Sequence, residues 1–471
     1  MYSIVKATCI LLLFLVVDYQ QVHGQNDLVK IHSIQFSGND KTKEAVLIRE
    51  MEFKVGDTVE QSNLPELLNV SENRLLSTGL FNKADINITN WDTEDNTVEI
   101  DVALEENWYL YPTYIFELAD RNFNVWWQEQ NRSLDRVNYG VKLSHYNLTG
   151  YRDRLKAKFQ LGYTRKYEID YLFPYLNEDR TIGVGFQIFY SDNKEMGYVT
   201  QENKTLFRKA DDERVLLRRF RTGGRLTYRP GNNVFSELRL EFHRNAVNEF
   251  VIEQLNPNYF LNGRTQIRFL FLELDLQYDR RIYSLYPQSG FLLFGNVKKE
   301  GFGLFNEYNN LSITGGWEYY KKLSPKFILG NRTKAKTNLT RRDVSFANNT
   351  GLGWDSDIVS GFELYVMDGT DYMILLNNLK FQFLNKDTKT SKYLPRQFEK
   401  VNIKMALRGN FDFAYANERL YVETNTINNR WFYGYGVALD LIFFNNFLYS
   451  FEFSINDLGE TGYFLHSSSS F

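Results

Sequence analysis

Reactive side chains are few in this chain and poorly spaced for catalysis. It has one cysteine, Cys9, and five histidines. Cys9 and His23 fall in an N-terminal leader, which leaves His32, His145, His243 and His466. None of these stands at a metal-ligand spacing from another His or Cys. Ser144 and His145 are adjacent, and neighbours on a strand face opposite sides, so they cannot pair as nucleophile and base there. The run Ser467 to Ser470 reads as a loose strand end. Glu273, Asp275 and Asp279 are candidates for paired carboxylates, but as alternate residues of one strand they read better as a solvated wall. No catalytic residue, metal ligand or cofactor is expected, and the protein is not expected to be an enzyme.

Those carboxylates belong to the most regular stretch of the chain. From Leu270 to Asp279, Leu270, Leu272, Leu274, Leu276 and Tyr278 fall on one face, and Phe271, Glu273, Asp275, Gln277 and Asp279 on the other. Glu237, Arg239, Glu241 and His243 alternate in the same way with Leu238, Leu240 and Phe242, and Lys400, Asn402 and Lys404 alternate with Val401, Ile403 and Met405. A soluble sandwich turns such leucines inward, whereas a membrane barrel turns them out to lipid and encloses the charges.

Composition narrows that choice. Lys6, the apolar run Ala7 to Val17 and the small residues before Gln25 form a secretory leader over residues 1–24, with too few apolar residues for a membrane span. Without the leader the chain lacks cysteine, hence any disulfide framework. No later apolar run reaches the roughly 18 residues of a spanning helix, which excludes a helical membrane protein. A net charge of -3 offers no basic face, so nucleic acid is not an expected partner. The 31 Tyr, 38 Phe and 7 Trp suit either an outer-membrane barrel with aromatic girdles or a large soluble β-protein.

Residues 25–106 read as a separate domain. Val29 to Phe36 alternates as a strand and stops at Ser37-Gly38-Asn39-Asp40. Thr42 is placed to cap a helix with Ala45, Val46, Ile48, Arg49 and Met51 along one stripe. Asn63 to Thr78 carries Leu64, Leu67, Leu68, Leu75 and Leu76 on one face and ends at Gly79. Strands follow at Ala84 to Thr89 and Thr97 to Glu105, giving a βααββ order and a three-stranded sheet. The stretches FSGNDKTKEAVLIREMEFKVGD and LLSTGLFNKADINI resemble a POTRA domain, the periplasmic module of the BamA/TamA superfamily, at Phe36, Gly38, Asn39, Thr42, Ile48, Arg49, Glu50, Gly56, Asp57, Leu76, Gly79, Leu80 and Phe81.

Residues 107–471 show no helical pattern. Sixteen alternating segments run from Trp108–Leu118 to Glu460–Ser467, an even number, as a closed antiparallel bacterial barrel needs. Gly231-Asn232 and Phe444-Asn445 mark short hairpins. Asn193–Glu213, Asn248–Gly263, Leu339–Gly369, Asn385–Gln397 and Tyr415–Arg430 are long polar connections, expected together at the outer end. The resemblance to the same superfamily recurs here. YDRRIYSLYPQSGF is similar to its mid-barrel signature, through Asp279, Arg280, Pro287 and Gly290. NLTGYRDRL resembles an early hairpin, and YGYGVALDL the last strands, with a terminal aromatic, Phe471. Val359-Ser360-Gly361-Phe362 resembles a Val-Arg-Gly-Phe/Tyr motif in a loop that folds into the lumen. The motif's arginine, which in the family contacts an inner-wall aspartate, is replaced by Ser360; the matching wall residue is Asp412, between Phe411 and Phe413.

The resemblance implies an all-β transmembrane barrel of about sixteen strands behind one POTRA domain, of the bacterial surface antigen type. It also implies residence in the bacterial outer membrane with the POTRA domain in the periplasm. The implied function is insertion or export of client proteins. Its partners would be the lipid bilayer, unfolded β-barrel or secreted clients, and periplasmic or lipoprotein accessory subunits. A specialised barrel for partner secretion or lipid handling and a passive channel are the alternatives; a lipase would need a rim nucleophile with a base.

Overall fold

The computed structural model describes residues 28–469 except 178, 180, 213, 232, 282–284, 306–308, 342–343, 390–399, 420–423 and 444–446. The leader, Phe471, the turn residues Asn232, Phe444 and Asn445, and the centre of the Asn385–Gln397 connection lie outside the described residues. The chain divides into two compact units, the second starting at Tyr109.

The first unit holds β1 (Leu28–Ser37), α1 (Glu44–Glu50), β2 (Thr58–Glu60), α2 (Leu64–Ser77), β3 (Phe81–Asp92) and β4 (Thr97–Glu106). Alternation in β4 buries Val98, Ile100, Val102 and Leu104 on one face. The sheet has four strands rather than the expected three, in the order β2-β1-β4-β3, with β1 and β4 parallel. The extra strand is three residues long, too short to show alternation, and pairs with Leu28–Lys30. In α1 the buried residues are Val46, Leu47 and Glu50, while Ile48, expected on the stripe, is exposed. Glu106 fixes the segment before this short helix by accepting the Lys41 and Thr42 amides at 3.1 and 2.6 Å.

The second unit is a 16-stranded antiparallel sheet. Its strands are β5 (Leu110–Leu118), β6 (Val137–Tyr146), β7 (Arg154–Gly162), β8 (Thr164–Phe173), β9 (Ile182–Asn193), β12 (Leu217–Tyr228), β13 (Val234–Val247), β14 (Gln266–Asp279), β15 (Gly290–Glu300), β16 (Asn310–Lys322), β17 (Phe327–Asn338), β18 (Asp371–Lys389), β19 (Lys400–Asn417), β20 (Trp431–Phe443), β21 (Phe447–Asn456) and β22 (Thr461–Ser469). Each neighbours the next in sequence except at β9–β12, where the hairpin β10 (Glu195–Gln201) and β11 (Lys204–Lys209) stands apart as its own sheet. All sixteen segments read from alternation are strands. The expectation of no helix fails at α3 (Phe123–Gln128), which Asn122 caps by accepting the Val125 amide at 2.9 Å. Six residues are fewer than two turns, too few for a helical period to show. A second helical turn spans Val251–Leu255.

The barrel wall is inside out relative to a soluble protein. Phe186, Leu240, Leu276, Phe411, Val437 and Phe451 are exposed, while Lys380, Lys404, Asp412, Asp440 and Glu452 are buried. An exposed apolar belt around every strand far exceeds the few hundred Å² a soluble monomer shows, and matches a lipid-facing surface. In β14, Leu274 and Leu276 are exposed, and Glu273 and Asp275 face inward, where both accept from Asn296 at 2.8 and 2.7 Å and pair with Arg239 at 2.9 and 3.0 Å.

Strands alternate in direction, so the loops after β5, β9, β13, β17 and β19 share one end. Four of the five long connections are there. Asn385–Gln397 is at the opposite end, and its start is not loop: β18 continues to Lys389, paired with Lys400, past a bulge between Gln382 and Leu384.

Candidate functional site: the lumen loop and the barrel seam

The loop between β17 and β18 lies against the inner wall. Val359, Ser360 and Phe362 are buried, Val359 and Phe362 in a cluster with Ile374, Ala414 and Phe432. The Phe362 and Phe432 rings meet edge to face at 4.9 Å. Asp412 on β19 is buried and accepts three hydrogen bonds: Ser360 Oγ at 2.7 Å, the Ser360 amide at 3.2 Å and the Asn377 amide at 3.0 Å. Ser360 and Asp412 are thus brought together without an arginine, through a hydroxyl and a main-chain N–H. The seat exists because β20 has Gly434 there: a Cβ at that position would lie 1.7 Å from the Ser360 carbonyl oxygen. Asn456 on β21 donates to the Gly361 carbonyl at 2.9 Å.

The mid-barrel signature assembles differently. Asp279 accepts from Arg281, at Nη2 2.8 Å and Nε 3.0 Å, and Arg281 continues to Glu318 at 2.6 Å. Arg280 is exposed, and its amide donates to the Phe291 carbonyl at 2.8 Å. Gly290 has φ +99°, and a Cβ there would lie 2.0 Å from the Arg280 carbonyl oxygen, so this turn requires glycine. Pro287 is buried beside Tyr286, a residue the motif did not single out. The Tyr286 hydroxyl donates to Asp440 at 3.0 Å, and the Lys380 ammonium sits 3.9 Å over its ring. Asp440 also accepts from Arg408 Nε at 3.0 Å and Ser450 at 2.6 Å, and Asn410 donates to Glu452 at 3.0 Å. This network crosses β18 to β21.

The ends of the sheet form a seam. Among the described residues no ladder joins β5 to β22. α3 packs on β22 instead, and Asn124, itself buried, meets both main-chain polar groups of one residue with its side-chain amide: Oδ1 accepts the Leu465 amide at 3.0 Å and Nδ2 donates to the Leu465 carbonyl at 3.5 Å. An asparagine side chain thereby stands where a neighbouring strand would. The segment before α3 reaches the lumen loop, through Arg121 to the Gly353 carbonyl and Asn122 to the Glu363 carbonyl, both at 2.8 Å. Among the described residues, one His/carboxylate group, Glu363, Glu452 and His466, gathers its ligand atoms within 4.8 Å of one another.

Three outer loops, after β9, β13 and β19, close over the lumen loop, the second by the Asn258 carbonyl accepting the Phe346 amide at 3.3 Å. The β10–β11 tip bonds the β19–β20 loop through the Asn203 amide to Asn425 Oδ1 at 2.8 Å and the Ile427 amide to Asn203 Oδ1 at 3.1 Å. Val366 donates to the Asn203 carbonyl at 2.7 Å, and Asn428 to the Asp368 carbonyl at 3.1 Å. The hairpin was read as plain loop; the turn Glu202-Asn203, both with positive φ, was its available signal. Burial pushes the Asp368 carboxyl up to about 7, against a hydrogen bond from Thr200, and Arg121 down to about 10, so Arg121 stays charged at neutral pH.

Comparison with known proteins agrees with both units. Residues 29–107 match the POTRA family, described as "Surface antigen variable number repeat". BamA from Haemophilus ducreyi lacking POTRA domains 1–3 superposes with TM-score 0.55 and 14% identity, covering 93% of this chain and 84% of that one. CdiB from Escherichia coli superposes with TM-score 0.55 and 11% identity, covering 93% and 75%. CdiB from Acinetobacter baumannii gives 0.50 and 12%, covering 94% and 74%. The chain is a POTRA unit followed by a barrel with the fold of BamA and CdiB. At these identities the likeness is one of fold. No curated protein sequence matches this chain. Its departure from the pattern is local: Ser360 keeps contact with Asp412 through shorter reach, and backbone N–H groups supply the remaining donors.

Proposed function

We propose that this protein works in the bacterial outer membrane as an assembly or translocation factor. It inserts client β-barrel proteins or exports secreted clients, with its POTRA domain in the periplasm, and it is not an enzyme. The observation that carries this reading is the seam. An end strand whose edge is held by a short helix and one asparagine, rather than by a full ladder, can accept a client strand by β-augmentation. The twelve-residue β3 at the edge of the POTRA sheet offers a second such edge for an unfolded client or an accessory subunit. A passive channel fits less well, because the lumen loop docks on the inner wall and the outer loops bond across it.

The test is a set of cysteine pairs scanned between Thr113–Phe116 and Tyr463–His466. Cross-linked protein loses client assembly in a depletion strain and regains it on reduction. Full activity of the cross-linked form overturns the proposal, and a survey of the outer-membrane proteins lost on depletion names the client.

A further inference from the structure

Glu363, Glu452 and His466 come from the lumen loop, β21 and β22, and converge on a cavity of about 580 Å³ that all three line. His466 Nε2 lies 3.5 Å from Glu363 Oε1 and 3.9 Å from Glu452 Oε2. Both distances exceed the roughly 2.7–3.2 Å of a good N–H···O hydrogen bond. They match the ligand-to-ligand separation around a metal: two atoms each about 2.1 Å from a tetrahedral zinc stand about 3.4 Å apart.

The second observation is independent of that spacing. Glu363 is 1% and Glu452 5% exposed, and Glu363 Oε2 and Glu452 Oε1 have no hydrogen-bond partner. A buried carboxylate oxygen without a donor is costly to maintain. The surrounding charge points the same way. Asp355, Glu363, Asp412 and Glu452 line this cavity against Arg121 and Arg408. Arg408 turns its Nε to Asp440 at 3.0 Å and only Nη2 to Glu452 Oε2 at 3.4 Å, so it leaves the other Glu452 oxygen toward the cluster.

We propose that Glu363, Glu452 and His466 form a binding site for a divalent transition cation, zinc being the best match, which ties the lumen loop to the last two strands. One imidazole with two carboxylates suits zinc or manganese better than calcium, which takes oxygen ligands alone. Three protein ligands beside a cavity leave a coordination position for water. Since Glu363 follows Phe362 directly and β22 is the end strand, the ion couples docking of the loop to retention of β22 at the seam. That coupling rests on the seam reading; cation binding itself does not.

The experiment uses the full chain in detergent micelles, stripped with chelator and titrated with zinc by calorimetry and with cobalt(II) by absorption. One cation binds per chain with a tetrahedral cobalt spectrum. His466→Ala and Glu363→Gln each weaken binding by at least about tenfold, the lower end of what even outer-shell changes do, and His145→Ala leaves it unchanged. Zinc slows hydrogen exchange at residues 359–363 and in β22 of the wild type. Absence of saturable wild-type binding, a cobalt spectrum without imidazole coordination, or wild-type affinity in both ligand variants overturns the site. If either variant fails to fold, Glu452→Gln and the wild-type spectrum decide. Binding without any effect on client assembly overturns the seam reading and leaves the site standing.

Discussion

Ser360→Ala is the narrowest cut available at the contact between lumen loop and wall. It removes the hydroxyl donor at 2.7 Å from Asp412 and leaves the Ser360 and Asn377 amides, at 3.2 and 3.0 Å, in place. It opens little space, since only an oxygen is lost, and the Phe362 and Val359 packing is untouched. A hydrogen bond to a charged group contributes roughly 1.5–3 kcal/mol. At about 1.4 kcal/mol per factor of ten, the released population of the loop rises roughly 10- to 150-fold. Hydrogen exchange reads this at the Phe362, Tyr365 and Val366 amides, which bond the Val359, Phe362 and Asn203 carbonyls in the docked loop. Those amides speed up by that factor, while the β6–β7 ladder keeps its wild-type rate. Asp412→Ala acts more strongly, because it leaves two buried amides without an acceptor. Ser360→Arg places a guanidinium into the cavity beside Asp412 and slows exchange below the wild-type rate. An unchanged rate in Ser360→Ala, or an equal rise in the β6–β7 ladder, would refute the reasoning.

Three further outcomes follow from particular contacts. Asp368 rises from 3.8 to about 7 in the docked loop, so docking holds its proton and is strongest below the ordinary carboxylate range. Docking weakens as pH climbs toward 7 and levels off above it, by up to about 4 kcal/mol; Asp368→Asn flattens the profile, and a slope that survives in the variant rejects the assignment. Asn124→Ala strips two bonds from the Leu465 main chain and speeds exchange of the Leu465 amide roughly 2- to 12-fold, for about 0.5–1.5 kcal/mol; wild-type exchange there would show that α3 does not hold the strand. Gly290→Ala forces a Cβ against the Arg280 carbonyl and lowers the temperature at which the folded band disappears on gels; equal melting would show that the turn tolerates a side chain.

The barrel was legible because each strand carries its own two-faced pattern, and sixteen such patterns need no knowledge of one another. The inward direction of Asp412 followed from its flanking phenylalanines in the same way. What stayed hidden depends on register between distant segments. His466 has no ligand-spaced partner along the chain, yet strand pairing brings it to Glu452 and loop docking brings it to Glu363. Tyr286 reaches Asp440 only because the turn folds under the wall. The short elements β2 and α3 were missed because three and six residues cannot display a period. Ser360 shares the contact with Asp412 with backbone amides, which no side-chain motif records.

The contacts that close the outer end are made by Asn203, Asn425 and Asn428 with main-chain groups. None of these contacts is ionic, so salt, which acts on the ionic wall beneath, has little handle on them, and pH reaches them only through the neighbouring Asp368 carboxyl. What does compete is chemistry of the same kind. An extended polypeptide presents N–H and C=O groups equivalent to those the asparagines use, and trading one amide contact for another changes little free energy. The closure is thereby little affected by salt yet open to competition from a peptide backbone, a selectivity for the form of the competitor rather than its sequence.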